Sequence, residues 1–356
     1  MKILFIINTP AQAYTWKNII KQLIEKGHLT KILVRDYGSA PEIINHFGYS
    51  YSIFKTRGSK TWRLFSAFEH FQKCYVLSRD CSPSLIVGFG LDAAITGFRL
   101  RKPSIMFIDD EGTRVQNGLT HLFADIIVSP QTFKRRIGKK HILVNSYKEL
   151  AYLHPEYFQP DPNIFDELKI NKGDKYVILR FNAFDAVHDV GKHGFSSEDQ
   201  FALVEGISKK AHVFISPEGS LPRELWRFRL PIAQTRIHHA LYYAQMLVTD
   251  TQTMATEAAI LGTPVIRSNN FVGPNDMGNF LELENKYELI YSFRDAHQAI
   301  KKAYALLDLP GLKEQWMKKR EKLLSEKINI TKLMVEIINN YPRSIENLLE
   351  GGADTL

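Results

Sequence analysis

The segment from Asp250 to Pro264 constrains the fold of this chain more than any other. An apolar strand, Met246 to Val248, runs into a short polar turn, and the turn opens an alanine-rich helix that ends at Gly262. A second apolar strand, Val265-Ile266, follows at once. A helix that begins at the end of a strand presents unpaired N–H groups and the positive end of its dipole at the edge of the sheet. The segment therefore predicts an α/β domain with a helix start suited to a phosphate group.

The rest of the chain alternates apolar strands with amphipathic helices, which is typical of parallel sheets covered by helices on both faces. A proline-rich stretch, Leu153 to Pro162, interrupts the alternation, which then restarts with a strand at Tyr176 to Arg180. We therefore expect two Rossmann-like, doubly wound α/β domains that face a cleft, with ligands beyond the carboxyl ends of the strands. The predicted bounds are an N-terminal domain over 1–154, a linker over 155–166 and a C-terminal domain over 167–356. Whether the last helices pack back on the N-terminal domain stays open.

The bulk composition fits a two-domain globular protein. The chain has 356 residues, of which 44% are hydrophobic and 24% charged, and no apolar run approaches the roughly 20 residues that span a bilayer. The run from Met1 to Asn8 carries no signal-peptide pattern, so we expect a cytoplasmic protein. Cys74 and Cys81 are too few for a disulfide framework or a metal site, so we expect no metal.

The net charge of +8 could attract nucleic acid, anionic lipid or a phosphate-bearing substrate. The densest basic segment, Phe133 to Lys140, is interpreted as a solvated loop. Its alternative is contact with the inner face of the membrane or with an anionic acceptor. The basic residues lack the interleaved aromatic side chains of a nucleic-acid site, so we expect no nucleic-acid partner.

The polar turn before the alanine-rich helix is the first candidate site. The Thr251 and Thr253 hydroxyls could bind phosphate oxygens or simply cap the helix. Glu257 lies one turn into the helix among small residues, where an acid is costly unless it faces a cleft or has a partner. His238 and His239 open the preceding helix and are expected at the surface.

A loop dense in polar groups follows the strand at Tyr176 and forms the second candidate site. Arg180 could bind a diphosphate through two hydrogen bonds, with Asn182 beside it. His188 could donate to phosphate or transfer protons. A structural network of Arg180 with the acids of this loop and a surface histidine is an equal alternative.

Three successive acids, Asp109, Asp110 and Glu111, follow another strand and form the third candidate site. They cannot all be buried and charged. We favour Glu111 as a general base, with Asp110 beside it, over a solvated turn and over a divalent-metal site.

These segments resemble the GT-B architecture of nucleotide-sugar glycosyltransferases and non-hydrolysing UDP-N-acetylglucosamine 2-epimerases. More closely, the chain resembles domain-of-unknown-function family 354, which shares that architecture. The segments that carry the resemblance are Thr9-Pro10-Ala11-Gln12, Asp109-Asp110-Glu111, Lys148-Glu149, Tyr152-Leu153-His154-Pro155, Leu179-Arg180-Phe181, Ala186-Val187-His188-Asp189 and Asp250 to Pro264.

The resemblance implies that Thr251, Gln252 and Thr253 bind the diphosphate of a nucleotide sugar, most simply a UDP-sugar, and that Glu257 binds its ribose. Gln252 and Thr253 stand where the epimerases have glycines. The N-terminal loop of the epimerases, which carries Arg and Glu, is also not matched at Thr9-Pro10-Ala11, and this mismatch weakens the epimerase alternative.

The leading functional hypothesis is a metal-independent GT-B glycosyltransferase of surface polysaccharide or glycoconjugate synthesis, with a lipid-linked or polysaccharide acceptor. A sugar-nucleotide 2-epimerase is the alternative enzyme. The alternative that is not an enzyme is a protein that binds a nucleotide sugar without catalysing a reaction. The oligomeric state stays open.

Overall fold

A computed structural model describes residues 1–55, 63–182, 194–219 and 221–346 of the chain. The chain forms two compact units. The first comprises Met1–Tyr157 together with the segment from Ile328 onward, and the second is Phe158–Lys327. The chain thus enters the second unit within the proline-rich stretch and leaves it at Lys327.

The first unit is built on a seven-stranded sheet whose pairs are all parallel, in the order β3-β2-β1-β4-β5-β6-β7. Its central strands are apolar almost throughout because helices cover both faces of such a sheet. The strands are β1 (Lys2–Ile7), β2 (Leu29–Arg35), β3 (Ser52–Phe54), β4 (Leu85–Phe89), β5 (Ser104–Phe107), β6 (Ile126–Pro130) and β7 (His141–Val144).

The first five helices of the first unit connect successive strands of this sheet. Thr9 caps the first helix by accepting from the N–H of Gln12, and Pro10 occupies the first helical position, where no N–H is needed. The helices are α1 (Pro10–Glu25), α2 (Ala40–His46), α3 (Arg63–Arg79), α4 (Leu91–Leu100), α5 (Arg114–Phe123), α6 (Leu150–Leu153) and, after the second unit, α14 (Ile330–Asn339). The last of these packs on α1 and α6, where the Thr331 hydroxyl donates to the carbonyl of Ala151 at 3.0 Å.

The second unit contains a five-stranded sheet, again with only parallel pairs, in the order β12-β11-β10-β8-β9. Its strands are β8 (Tyr176–Arg180), β9 (His212–Ile215), β10 (Met246–Thr249), β11 (Val265–Ser268) and β12 (Ile290–Phe293). Its helices are α7 (Ile164–Leu168), α8 (Ser197–Ser208), α9 (Ile237–Tyr243), α10 (Thr253–Ile260), α11 (Gly278–Asn285), α12 (Ala296–Leu307) and α13 (Leu312–Glu326), with 3-10 turns at Arg223–Phe228 and Gln234–Arg236.

Each sheet has one point at which its strand order reverses. In the first unit the reversal lies between β1 and β4, and in the second it lies between β8 and β10. The connections on the two sides of such a point leave on opposite faces of the sheet, which opens a crevice at the carboxyl ends of the two strands. Ligands of doubly wound sheets bind in this crevice, so each unit has one position at which a ligand is expected.

The prediction of two Rossmann-like α/β domains is confirmed by the two parallel sheets and their alternating helices. No helix among the described residues is long and apolar enough to cross a membrane. The strand β7 and the helix α5 were not predicted, because β7 has only four residues and the sequence of α5 is rich in polar residues.

Candidate functional site

The candidate site of the second unit lies where β8 and β10 end side by side. Arg180, the last residue of β8, is in register with Thr249, the last residue of β10. The polar turn of Asp250, Thr251 and Gln252 follows β10 directly and leads into α10. The first two candidate sites of the sequence analysis, the turn after β10 and the loop after β8, therefore begin side by side at the reversal point of this sheet.

Asp250 joins the loops that follow these two strands. Its carboxylate accepts from the backbone N–H of Asn182 at 2.7 Å and from that of Phe195 at 3.3 Å. Its backbone carbonyl accepts from the side-chain amide of Asn269 at 3.0 Å, which adds the segment after β11. A side chain on Gly194 would collide with the same carboxylate, so glycine is required at this point.

The Asp250 carboxyl is almost fully buried, with 2% of its surface exposed. Burial raises its pKa to about 7, against the effect of the two N–H groups that donate to it, and the charge of Glu218 raises it further. Asp250 was not predicted as a site residue, although it opens the segment that most constrained the fold. Its position supports a role in holding the loops in place.

The start of α10 presents backbone donors. Gln252 is the residue before the helix, and no side chain caps it. The N–H groups of Thr253, Met254 and Ala255 have no acceptor among the residues that the structure describes. The Thr251 hydroxyl is 2.8 Å from that of Thr249 and does not cap the helix. These donors and the positive end of the helix dipole suit an anion.

Glu257 lies one turn further along α10, with 6% of its surface exposed. Its Oε1 is 3.0 Å from Nε2 of His238, which comes from α9. The prediction that His238 lies at the surface is wrong, since only 4% of it is exposed. Burial of the acid required a partner, and packing of α9 against α10 provides one. The pair was not predicted, because its two residues are 19 positions apart in the sequence.

His239 is half-buried rather than at the surface. Its Nδ1 accepts from the backbone N–H of Asp161 at 3.0 Å, and the ring of Phe158 lies against it. Burial, together with the nearby Arg236, lowers the pKa of His239 to about 4, so it is neutral at physiological pH. His239 therefore fixes the segment that enters the second unit.

Arg180 contacts the end of the neighbouring strand β9. Its guanidinium donates to the carbonyl of Ser216 at 3.1 Å and to its hydroxyl at 2.9 Å, and it forms an ion pair with Glu218. The Nε–H of Arg180 is buried and has no hydrogen-bond partner among the described residues. Arg180 thus has a structural role and also carries one buried donor that no described residue satisfies. His188, the predicted proton-transfer residue of this loop, lies outside the described residues.

The three acids after β5 in the first unit have three different environments. Asp109 pairs with Lys148, which also lies 3.3 Å from Glu149. Asp110 accepts from the N–H of Gly112 at 2.8 Å and stabilises the turn. Glu111 is partly exposed, and its Oε2 lies 3.4 Å from the backbone N–H of Lys134. The three acids therefore do not act as one group: Asp109 is paired with Lys148, Asp110 holds the turn, and Glu111 contacts the segment that contains Lys134.

The pair of Asp109 and Lys148 was missed, although both belong to segments that carried the family resemblance. Burial by itself would lower the pKa of Lys148, but the carboxylates of Asp109 and Glu149 raise it above its usual value. Lys148 is therefore a permanent cation that balances two acids. The basic segment that contains Lys134 is largely exposed, in keeping with a solvated loop.

Solved structures share the fold of this chain over nearly its full length. The S. aureus MnaA–UDP co-structure matches with a TM-score of 0.69 at 12% identity, over 98% of this chain and 97% of that one. UDP-GlcNAc 2-epimerase from Neisseria meningitidis, bound to UDP-GlcNAc, matches with a TM-score of 0.65 at 12% identity, over 96% and 100%. The spinosyn rhamnosyltransferase SpnG matches with a TM-score of 0.61 at 12% identity, over 96% and 100%. The fold is therefore that of GT-B proteins.

A search of curated proteins found no match. A family model described as "Protein of unknown function (DUF354)" matches residues 2–343. This match confirms the resemblance seen in the sequence segments, and the chain is a member of the DUF354 family.

Proposed function

We propose that this protein is a glycosyltransferase that uses a nucleotide sugar, and that it binds the donor at the end of β10 in the second unit. The proposal rests on two features that lie together at the reversal point of the sheet, the start of α10 and the buried acid Glu257. An uncapped helix start offers donors to a diphosphate, and a buried acid stands one turn away. Thr253 and Glu257 are about one helical turn apart, roughly 6 Å along the helix axis, which is within the reach of one nucleotide.

The diphosphate binds to the N–H groups of the first turn of α10, with the Thr253 hydroxyl and the Gln252 amide as further donors. The buried Nε–H of Arg180 supplies a charged donor from β8. A helix dipole and a guanidinium stabilise the negative charge that develops on a departing diphosphate. Transfer of the sugar therefore requires no metal at the donor.

Glu257 accepts hydrogen bonds from the ribose hydroxyls, and His238 orients its carboxylate. A carboxylate can accept from both hydroxyls of a ribose and thereby distinguish a nucleotide from other diphosphates. Two solved structures of the same fold contain UDP or UDP-GlcNAc. They support the choice of a UDP-sugar as the donor.

Glu111, in the first unit, deprotonates the acceptor hydroxyl. His188 takes part in proton transfer or binds phosphate, and Asp110 supports the turn on which Glu111 lies. The acceptor is a lipid-linked or polysaccharide sugar, and the product belongs to a surface polysaccharide or glycoconjugate. The basic segment that contains Lys134 offers a contact for an anionic acceptor or a membrane surface.

A sugar-nucleotide 2-epimerase is the second candidate, and the epimerases among the structures of the same fold favour it. Epimerisation removes and returns a proton on the sugar itself and needs no acceptor.

One experiment separates the two reactions. The protein is incubated in D₂O with UDP-GlcNAc carrying a radiolabel in its sugar, with and without an extract of acceptor lipids and polysaccharides. Movement of the label to an acceptor, without deuterium in the sugar, supports transfer, whereas deuterium in the sugar without an acceptor supports epimerisation. If UDP-GlcNAc shows neither, the same assay is repeated with other UDP-sugars.

The role of Glu111 is tested by Glu111→Gln, with Glu321→Gln on an exposed helix face as the matched control. We expect Glu111→Gln to retain nucleotide binding and to lose turnover by about a hundred-fold or more. Unchanged turnover would show that another group is the base.

A further inference from the structure

The reversal point of the first sheet holds a compact cluster of metal-binding side chains. His70, Cys74 and Asp92 each place one ligand atom within 4.8 Å of the other two. All three belong to the first unit and take no part in the proposed donor site. No metal site was predicted from the sequence because the chain has only two cysteines. That prediction did not take into account a site with mixed ligands.

The backbone explains why these three residues meet. His70 and Cys74 are four residues apart on α3, so their side chains lie on the same face of the helix, one turn apart. Asp92 lies in the first turn of α4 because Gly90, with a φ of 75°, allows the chain to turn sharply at the end of β4. The register of β1 with β4, which pairs Ile6 with Gly88, brings the end of β1 to the same place.

The residue that follows β1 is Asn8, and it completes the cluster. Its side-chain Nδ2 donates to Oδ2 of Asp92 at 2.6 Å, and the same oxygen lies 2.9 Å from Nε2 of His70. The Oδ1 of Asn8 is buried and has no hydrogen-bond partner among the described residues, while Asn8 itself is only 8% exposed. A buried carbonyl oxygen without a partner indicates a water molecule or an ion that binds beside it.

From this geometry we infer that His70, Cys74 and Asp92 bind one divalent cation of the zinc class, with the Asn8 carboxamide beside the fourth position. An imidazole, a thiolate and a carboxylate are the three ligand types of protein zinc sites. In a tetrahedral site with bond lengths of about 2.0–2.3 Å, neighbouring ligand atoms are about 3.5 Å apart. To reach this spacing, His70 Nε2 and Asp92 Oδ2, which are 2.9 Å apart, must separate by about half an ångström, and the Cys74 sulfur, which lies within 4.8 Å of both, must adjust to the same spacing.

The surroundings favour a soft divalent cation over magnesium. Cys74 is fully buried, and His70 is held by an edge contact with the ring of Phe54, whose centroid is 5.0 Å away. A thiolate and a carboxylate carry two negative charges, which one divalent cation balances at a place where unbalanced charge is costly. Thiolate ligands select zinc over magnesium or calcium.

The site is tested with the full-length protein, freed of metal by a chelator and then titrated with Co²⁺ and with Zn²⁺. We expect one equivalent of Co²⁺ to produce visible bands of a tetrahedral ion and a near-ultraviolet band from thiolate-to-cobalt charge transfer. One equivalent of Zn²⁺ should remove both, and Mg²⁺ should not. Cys74→Ser should abolish the charge-transfer band and weaken binding by about a hundred-fold or more, since even residues that only orient a ligand change affinity by 10–100-fold.

Cys81→Ser is the matched control, because Cys81 is the other cysteine of the chain and lies outside the cluster. It should leave the spectrum and the affinity unchanged. The inference is overturned if the wild-type protein binds less than one equivalent of Zn²⁺, if the cobalt complex lacks the thiolate band, or if Cys74→Ser and Cys81→Ser behave alike. The cobalt spectrum of the wild-type protein decides the question even if a variant fails to fold.

Discussion

The carboxylate of Glu257 lies 3.0 Å from the imidazole of His238, and both side chains are more than nine-tenths buried. Glu257 lies in the second half of α10 and His238 lies in the first turn of α9, so the pair fixes these two helices against each other. The acid therefore stands in a defined orientation one turn from the start of α10. Such preorganisation is what a group that recognises a ribose requires.

Glu257→Gln should weaken UDP binding while leaving the binding of inorganic diphosphate unchanged. The glutamine keeps the size of the side chain and can still bond to His238, but it loses the charge that strengthens hydrogen bonds to hydroxyls. We expect a loss of about 2 kcal/mol, or roughly thirty-fold in Kd, by isothermal titration calorimetry. Glu321→Gln serves as control. Equal Kd values for UDP in the variant and the wild-type protein would rule out the ribose assignment.

Arg180→Lys should affect diphosphate recognition more than nucleoside recognition. Lysine retains the charge but lacks the Nε–H that is buried without a partner, and it cannot reproduce the forked contact with Ser216 and Glu218. The Kd for UDP should rise about ten-fold, and that for uridine should change little. Glu218→Gln, which disturbs the same ion pair without removing a donor, is the matched comparison. A similar loss for UDP and uridine would mean that Arg180 only maintains the structure.

Asp250 should make the stability of the second unit depend on pH. Its carboxyl has a pKa of about 7 in the folded chain against an ordinary value of 3.8, so the folded state binds more protons between these values. Its contribution to stability is fully present below about pH 3.8 and is lost as the pH rises through about 7. The free energy of unfolding of the wild-type protein, relative to that of Asp250→Asn, should therefore fall with rising pH by at most about 1.4 kcal/mol per unit.

Chemical denaturation of both proteins at several pH values between about 5 and 8 measures this difference. Asp80→Asn, at an exposed position, should show no such trend relative to the wild-type protein. A constant difference between the wild-type protein and Asp250→Asn would show that the carboxyl titrates at its ordinary pKa.

Lys148→Met should destabilise the first unit by about 3 kcal/mol, because it leaves the acids of Asp109 and Glu149 without their cation. The double variant Lys148→Met with Asp109→Asn should recover part of this loss, since one of the two uncompensated charges is gone. Lys21→Met, at an exposed helix position, is the control and should change the midpoint of urea denaturation very little. Destabilisation of the double variant equal to the sum of the single effects would argue against the ion pair.

Local patterns were sufficient to predict the α/β class, the two domains and the start of α10, because each depends on a few neighbouring residues. The roles of Asp250 and His238 depend on contacts across the sheet or between helices, and a sequence pattern does not encode them. Arg180 illustrates both the features that local patterns predict and those that depend on contacts between strands. Its place at the end of β8 was predictable, whereas its bonds to Ser216 and Glu218 follow from the pairing of β8 with β9.

The cluster of His70, Cys74 and Asp92 was missed for the same reason. The four-residue spacing on α3 is visible in the sequence, but the third ligand comes from the turn after β4, and only the strand order brings the two together. Expectations based on the number of cysteines apply to sites built from cysteine alone.

Hydrogen–deuterium exchange with and without UDP-GlcNAc tests the central claim most directly, because it reports where the ligand binds. At a ligand concentration of about a hundred times Kd, binding stabilises the protein by about 2.7 kcal/mol. We predict slower exchange in the peptides that contain the end of β10 and the first turn of α10, including Thr253, Met254 and Ala255, and a smaller effect in Glu257→Gln. Unchanged exchange in these peptides at saturating UDP-GlcNAc and UDP, or protection confined to other parts of the chain, would contradict a nucleotide-sugar site at the start of α10.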